Sequence, residues 1–170
     1  IQKDVKTAIK YFELSIEEGY PNAAYILGTL LINGDEESSL KPNPKEGLKY
    51  IQYAADHGNI NAMYLFAYYM YYKRYIEMDV DLLKKYIKDG IDSGYPPCMR
   101  LYGIILMAGD VLPINKYKGA GYIKKAADLN DIKAIELYID ALEKGIGVMK
   151  NMREAQIYRE KISHLPKQYV

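Results

Sequence analysis

A tyrosine recurs at Tyr11, Tyr50, Tyr86, Tyr122 and Tyr158, at intervals of 39, 36, 36 and 36 residues. Each sits in the same short pattern: AIKYFELSIEEG, GLKYIQYAADHG, LKKYIKDGIDSG, GAGYIKKAADLN and AQIYREKISHLP. Self-similarity with a period of roughly 20 to 50 residues marks a solenoid or array. One unit of that size cannot bury its apolar faces alone, so copies of it must stack. This repetition constrains the fold more than any composition value, and it argues against an enzyme built around a single pocket.

Between the tyrosine segments lie four further stretches: PNAAYILGTLLING, INAMYLFAYYMYYK, PPCMRLYGIILMAG and IKAIELYIDALEKG. Their apolar residues fall three and four apart, as in Leu27 and Leu31, Phe66 and Met70, and the helical period follows. Gly28, Ala67, Gly103 and Ile139 hold equivalent places. Pro21 and Pro96 stand near helix starts, where a missing N–H costs nothing. Turn signals at Asn33-Gly34-Asp35, Gly109-Asp110 and Gly145-Ile146-Gly147 separate the stretches, and no segment has the strand period. The expectation is an all-α chain of about nine short antiparallel helices. An orphan helix over 4–19 is followed by hairpin repeats over approximately 20–58, 59–94, 95–130 and 131–165. A glycine inside a helix costs roughly 1 kcal/mol against alanine. At Gly28 and Gly103 the expected compensation is close approach of a partner helix, with the recurring tyrosine ring beside the bare backbone and Ala54-Ala55 or Ala126-Ala127 opposite.

KYIQYAADHGNINAMYLFA and GYIKKAADLNDIKAIELYI resemble Sel1-like repeats, a motif related to the tetratricopeptide repeat. The family's aromatic, Ala-Ala, turn glycine, Leu-Gly and Gly-x-Gly-Val features stand here as Tyr50, Ala54-Ala55, Gly58, Leu27-Gly28 and Gly145-Ile146-Gly147-Val148. The first repeat departs by three extra residues in EESSLKPNP, the second replaces its glycine turn with KRYIEMDVD, and the fourth has Ile139 for glycine. The resemblance implies one right-handed α-solenoid over 1–170, whose second helix in each pair lines a concave groove. It also implies a non-catalytic scaffold or adaptor that binds a peptide or helix of another protein. The alternatives are a targeting or assembly module of a larger protein, such as a signalling enzyme or an endoplasmic-reticulum quality-control adaptor.

Charge and chemistry narrow the field further. The chain carries 23 basic and 22 acidic residues, a net +1, so no bulk field favours nucleic acid or an anionic membrane. The longest apolar run, AMYLFAYYMYY, is too short to cross a bilayer. Cys98 is the one cysteine, which excludes an internal disulfide and favours a reducing compartment. The cytoplasm is therefore expected, or the endoplasmic reticulum if a signal peptide lies upstream. The chain opens on Ile1 rather than Met and reads as part of a longer protein. His57 and His164 occupy equivalent helix ends without converging metal or acid-base partners. Asp79 and Asp81 suit a helix start better than a calcium loop, whose central glycine is missing. Gly119-Ala120-Gly121 reads as helix interior rather than a phosphate cradle. No cofactor or metal is expected.

The candidate binding surface is a stripe. At 100° per residue, Tyr64, Tyr68, Tyr71 and Tyr75 share a face displaced by about 120° from Met63, Phe66, Ala67 and Met70. Tyrosine is large, has few rotors and keeps a polar tip, which suits an interface; the other reading packs these rings inside the solenoid. Equivalent positions are Asn22, Tyr25, Thr29 and Ile32, then Asn61 ahead of the tyrosines, then Arg100, Ile104 and Met107, then Lys133, Glu136, Asp140 and Glu143. A groove running from aromatic to acidic would suit a segment with apolar anchors and a basic end. Solenoid ends also allow self-association.

Overall fold

The computed structural model describes residues 4–166. Among these the chain forms nine α-helices: α1 (Val5–Glu17), α2 (Pro21–Asn33), α3 (Pro44–Asp56), α4 (Ile60–Tyr71), α5 (Val80–Asp92), α6 (Pro96–Ala108), α7 (Lys116–Asp128), α8 (Ile132–Lys144) and α9 (Met152–His164). The helix starts follow from local chemistry. The side chains of Asp4, Asn43, Asn59, Asn115, Asp131 and Asn151 each accept from the backbone N–H three residues on. Asp79 does the same for Leu82, at 3.0 Å. Each such cap stabilises its helix by about 1 kcal/mol. The two helices without a side-chain cap, α2 and α6, open on Pro21 and Pro96 instead.

The described residues cluster into two compact units, one running to Asp89 and the other beginning at Gly90. In the first unit α1 packs on α2, α2 on α3 and α3 on α4; in the second α6 packs on α7, α7 on α8 and α8 on α9. The first unit buries Leu27, Ile51, Phe66, Met70, Leu83 and Tyr86, and the core of the second gathers Ile123, Ile135, Tyr138, Leu142 and Tyr158.

The close helix approach expected at Gly28 and Gly103 is present, with a different neighbour. A Cβ on Gly28 would stand 2.7 Å from Ile51 Cδ1 and 2.8 Å from the Gly47 carbonyl oxygen. On Gly103 it would stand 2.6 Å from Ile123 Cγ1 and 2.7 Å from the Gly119 oxygen. The gap is thus filled by the isoleucine that follows the recurring tyrosine, and each helix glycine faces a second glycine. Backbone meets backbone, an arrangement that any side chain would prop open.

The tyrosines have another task. Phe66 and Tyr86, Tyr102 and Tyr122, and Tyr138 and Tyr158 form edge-to-face pairs with centroids 5.7, 4.8 and 5.0 Å apart. The Tyr86 hydroxyl donates to Asp56 Oδ1 at 2.6 Å, and the Tyr158 hydroxyl donates to Asp128. Asp56 and Asp128 hold equivalent places one repeat earlier, so this side chain joins adjacent repeats twice over, by ring and by hydroxyl. Tyr11, with no preceding repeat among the described residues, is 67% exposed, whereas Tyr86 is fully buried.

The departures from the repeat are absorbed in loops. In the first, Asp35 and Leu40 exchange backbone hydrogen bonds of 2.9 and 3.0 Å, closing the extra residues into a small turn. In the second, Lys73 and Tyr75 adopt φ of 50° and 66°, the left-handed region filled by Gly109, Gly145 and Gly147 elsewhere. That is an unfavourable conformation for side chains with a Cβ, and it lets KRYIEMDVD turn without glycine.

Candidate protein-binding surfaces

The tyrosines of α4 lie off its fully buried face. The buried face of this helix is Ala62, Phe66, Ala67 and Met70, while Tyr64, Tyr68, Tyr69 and Tyr71 are half-buried and Tyr72 and Tyr75 exposed. Their rings touch in series. Tyr68 lies 6.0, 5.9 and 4.6 Å from Tyr64, Tyr69 and Tyr72; Tyr71 meets Tyr72 at 4.9 Å and Tyr69 meets Tyr75 at 5.8 Å. Burial pushes the Tyr69 phenol above its ordinary pKa, with Tyr75 and Tyr68 adding to it. Six aromatic rings therefore form one patch, of which the helical period identified Tyr64, Tyr68 and Tyr71; Tyr75, expected on the same helical face, lies beyond the end of α4 and joins through Tyr69. Tyr69 joins from within α4, beside Tyr68, and Tyr72 from its C-cap.

The flanking positions of this unit serve partly as structure. Asn22 accepts a 2.7 Å hydrogen bond from Asn59, the N-cap of α4, which ties α2 to the start of the next repeat. The Thr29 hydroxyl donates back to the carbonyls of Tyr25 and Ile26. Asn22 and Asn61 are exposed, and Tyr25 and Thr29 half-buried.

In the second unit, Ile104 and Asp140 come together in an apolar cleft of about 180 Å³, walled by Met107, Ile123, Leu137 and Ile146. Arg100 is committed elsewhere. Its Nε donates to Asp131 Oδ1 at 3.0 Å with side chains 11% and 9% exposed, and Asp131 also caps α8. The pair holds α6 to the start of the next hairpin, as Asn22 and Asn59 hold α2 to α4. Lys133 and Glu136 are exposed. Asp140 pairs with Lys144 at 2.6 Å and Glu143 with Arg159, so most of the expected acidic run is neutralised within the chain.

A second concavity, of about 400 Å³, opens along α7, between Tyr138 of α8 and the turn at Gly147 and Val148. Tyr117, Lys118, Gly121, Tyr122, Lys124 and Lys125 line it from α7. Lys125 Nζ sits 5.1 Å from the Tyr122 ring centre and Lys118 Nζ 5.9 Å from that of Tyr102. Lys124 instead joins Asp128 and the Tyr158 hydroxyl at 2.9 and 3.0 Å, and these hydrogen bonds hold its ammonium well above the usual range. Burial pushes Tyr138 up to about 12, with the Glu154 charge and hydrogen bond adding. The spacing Lys118-x-x-Gly121-Tyr122-x-x-Lys125 was the available signal for this site.

Cys98 and His57 serve the packing and a helix end. Burial pushes the Cys98 thiol up to about 12, where it is no nucleophile. His57 closes α3, stacked on Tyr53 at 4.0 Å with Nδ1 2.8 Å from the Tyr53 carbonyl. Among the described residues no group of three His, Cys, Asp or Glu is placed to hold a metal, and no helix is long and apolar enough to cross a membrane.

Comparison with known proteins agrees with this geometry. No curated protein matches the sequence significantly. A Sel1 repeat protein of Oxalobacter formigenes superposes with a TM-score of 0.84 over 96% of this chain and 66% of its own, at 16% identity. A protective antigen of uropathogenic Escherichia coli, with an SLR fold, superposes with a TM-score of 0.80 over 91% of this chain and 32% of its own, at 18% identity. Cysteine rich protein B of Helicobacter pylori reaches 0.58 over 71% of this chain and 90% of its own, at 22% identity. The chain thus spans about two thirds and one third of the first two proteins. The Sel1 repeat profile matches residues 1–20, 21–59, 96–131, 117–139 and 140–162. It passes over the tyrosine-rich second repeat, where α4 and α5 form nonetheless. The chain belongs to the Sel1 repeat family.

Proposed function

We propose that this chain is a non-catalytic scaffold that binds a segment of another protein through the tyrosine patch of α4. The observation that carries the reading is the series of touching, partly exposed rings from Tyr64 to Tyr75. An apolar core would take such rings in, and a purely solvated face has no use for six of them. In this reading Asn22, Tyr25 and Thr29 of α2 and Asn61 of α4 add polar contacts to the bound segment. The cleft of Ile104 and Asp140 offers a second, smaller anchor point in the other unit, with Lys133 and Glu136 as exposed charges on the same helix as Asp140.

The test is a pull-down from source lysate, comparing the wild type with Tyr64→Ala/Tyr68→Ala/Tyr71→Ala. Interface hot spots, among which tyrosine is enriched, each cost about 2 kcal/mol or more when truncated, so the variant should lose the partner while its helical circular dichroism stays near that of the wild type. Lost helicity would mean that the rings are core, and a partner retained by both proteins would place binding elsewhere.

A second reading, self-association, draws on the exposed Tyr11 and Leu14 of α1 and Met152 and Ile157 of α9. Light scattering over a concentration series should show growing mass if these residues meet copies of the chain. A constant monomer mass excludes it.

A further inference from the structure

Six glycines lie inside helices of this chain, and five have a packing reason. A Cβ on Gly28, Gly47, Gly103 or Gly119 would approach a neighbouring atom to 2.7, 2.6, 2.6 or 2.5 Å, and on Gly90 it would run into the Cys98 sulfur. Gly121 differs: a Cβ there would meet nothing within 4 Å. A glycine in a helix interior costs roughly 1 kcal/mol against alanine, and nothing within the fold offsets that cost at this position. What the missing side chain leaves is space on the floor of the 400 Å³ concavity along α7.

The walls define what the space suits. Lys118, Gly121, Tyr122 and Lys125 stand at i, i+3, i+4 and i+7, one side of the helix. Among the described residues neither Lys118 nor Lys125 is paired with a carboxylate; each ammonium lies over a tyrosine ring instead. The third lysine, Lys124, is already held by Asp128 and Tyr158. Two uncompensated cations thus flank a smooth aromatic and glycine floor, with Tyr117 83% exposed at the rim. Seven residues of helix separate the two lysines by roughly 10 Å, which is about the reach of three residues of extended chain.

We infer that this cleft binds an extended acidic segment of a partner protein, two carboxylates three residues apart meeting Lys118 and Lys125 while the intervening backbone lies over Gly121. It uses none of the α4 patch, so it stands or falls independently of the proposed function above.

The test is fluorescence anisotropy with a fluorescein-labelled (Glu-Leu-Ser)n peptide, and (Lys-Leu-Ser)n as its charge-reversed control. The wild type should bind the acidic peptide, more weakly at high salt, and not the basic one. Lys118→Ala/Lys125→Ala should weaken binding about tenfold or more, whereas Lys6→Ala/Lys10→Ala, with the same loss of charge, should leave it unchanged. Gly121→Leu should block binding while its Tm stays level or rises, since leucine is the better helix former and a Cβ at this position meets nothing within 4 Å. Tyr64→Ala/Tyr68→Ala/Tyr71→Ala should bind as the wild type does. Equal affinity of the wild type and the Lys118/Lys125 variant would overturn the inference, as would no binding of the acidic peptide. Phosphatidylserine vesicles captured through the same lysines in place of the peptide would overturn it in favour of a lipid surface.

Discussion

The hydroxyl of Tyr158, on α9, meets two groups of α7 that lie far from it in sequence. It donates to Asp128 and accepts from Lys124, while its ring packs edge-to-face on Tyr138. Burial alone would raise the Asp128 pKa, yet the hydrogen bonds from Tyr158 and Lys124 and the nearby ammonium charges outweigh it and hold the carboxyl below its ordinary value. A carboxyl depressed in the folded state adds stability above its unfolded pKa near 4, lost as pH falls through the folded value. The opposite sign holds for Tyr138, pushed up to about 12 chiefly by burial. Its contribution is complete below the unfolded value near 10 and is lost as pH rises toward the folded one. Urea denaturation across pH should therefore show the midpoint falling below about pH 4 and again above about pH 10. In Tyr158→Phe the hydroxyl's bonds disappear, at a cost of about 1 kcal/mol at neutral pH. The acid-side decline should also be shallower than in the wild type; an unchanged acid limb would show that Asp128 does not depend on this tyrosine.

Helices α2 with α3, and α6 with α7, are set by glycine facing glycine. Replacing Gly103 with alanine adds a better helix former but drives a Cβ to 2.6 Å from Ile123 and 2.7 Å from the Gly119 oxygen. Backbone cannot yield as a side-chain tip does, so overpacking should outweigh the propensity gain. The expected result is a net loss of about 1–3 kcal/mol, read as a lower thermal midpoint by circular dichroism. The same change at Gly121 should be neutral or stabilising by up to about 1 kcal/mol. Two glycines of neighbouring helices thus give opposite signs, and a destabilising Gly121→Ala would mean that the cleft floor is closer packed than it stands here.

Across the whole chain, burial is uneven in a way that predicts where it opens first. Helix α1 has no buried residue and exposes Tyr11 and Leu14, whereas α8 buries Ala134, Ile135, Tyr138, Ile139, Ala141 and Leu142. Opening free energies follow local burial. Amide hydrogen exchange should therefore release Val5–Glu17 well before Ile132–Lys144, by about a hundredfold or more; equal protection of the two helices would contradict this ordering. In a repeat architecture each unit draws stability from its neighbours, and α1 contacts the chain mainly through α2.

Much of this protein is legible without coordinates, because its period, its apolar spacing and its caps are local statements. Asp4, Asn43, Asn59, Asp79, Asn115, Asp131 and Asn151 begin helices by bonding three residues ahead, and the recurring tyrosine announces the repeat. The tyrosine stripe was visible too, since helical geometry alone divides Tyr64, Tyr68 and Tyr71 from Phe66 and Met70. What each residue meets across the interface was not. Tertiary structure decided that Ile51 and Ile123, rather than tyrosine rings, fill the gaps beside Gly28 and Gly103. It decided that Arg100 is locked to Asp131 and Glu143 paired with Arg159. It also decided that Gly121 faces open space while Gly119, two residues away, touches backbone. Each of these depends on which side of a helix a neighbour covers. The sequence carries the angle of every residue around its own helix, and only packing supplies the neighbour at that angle.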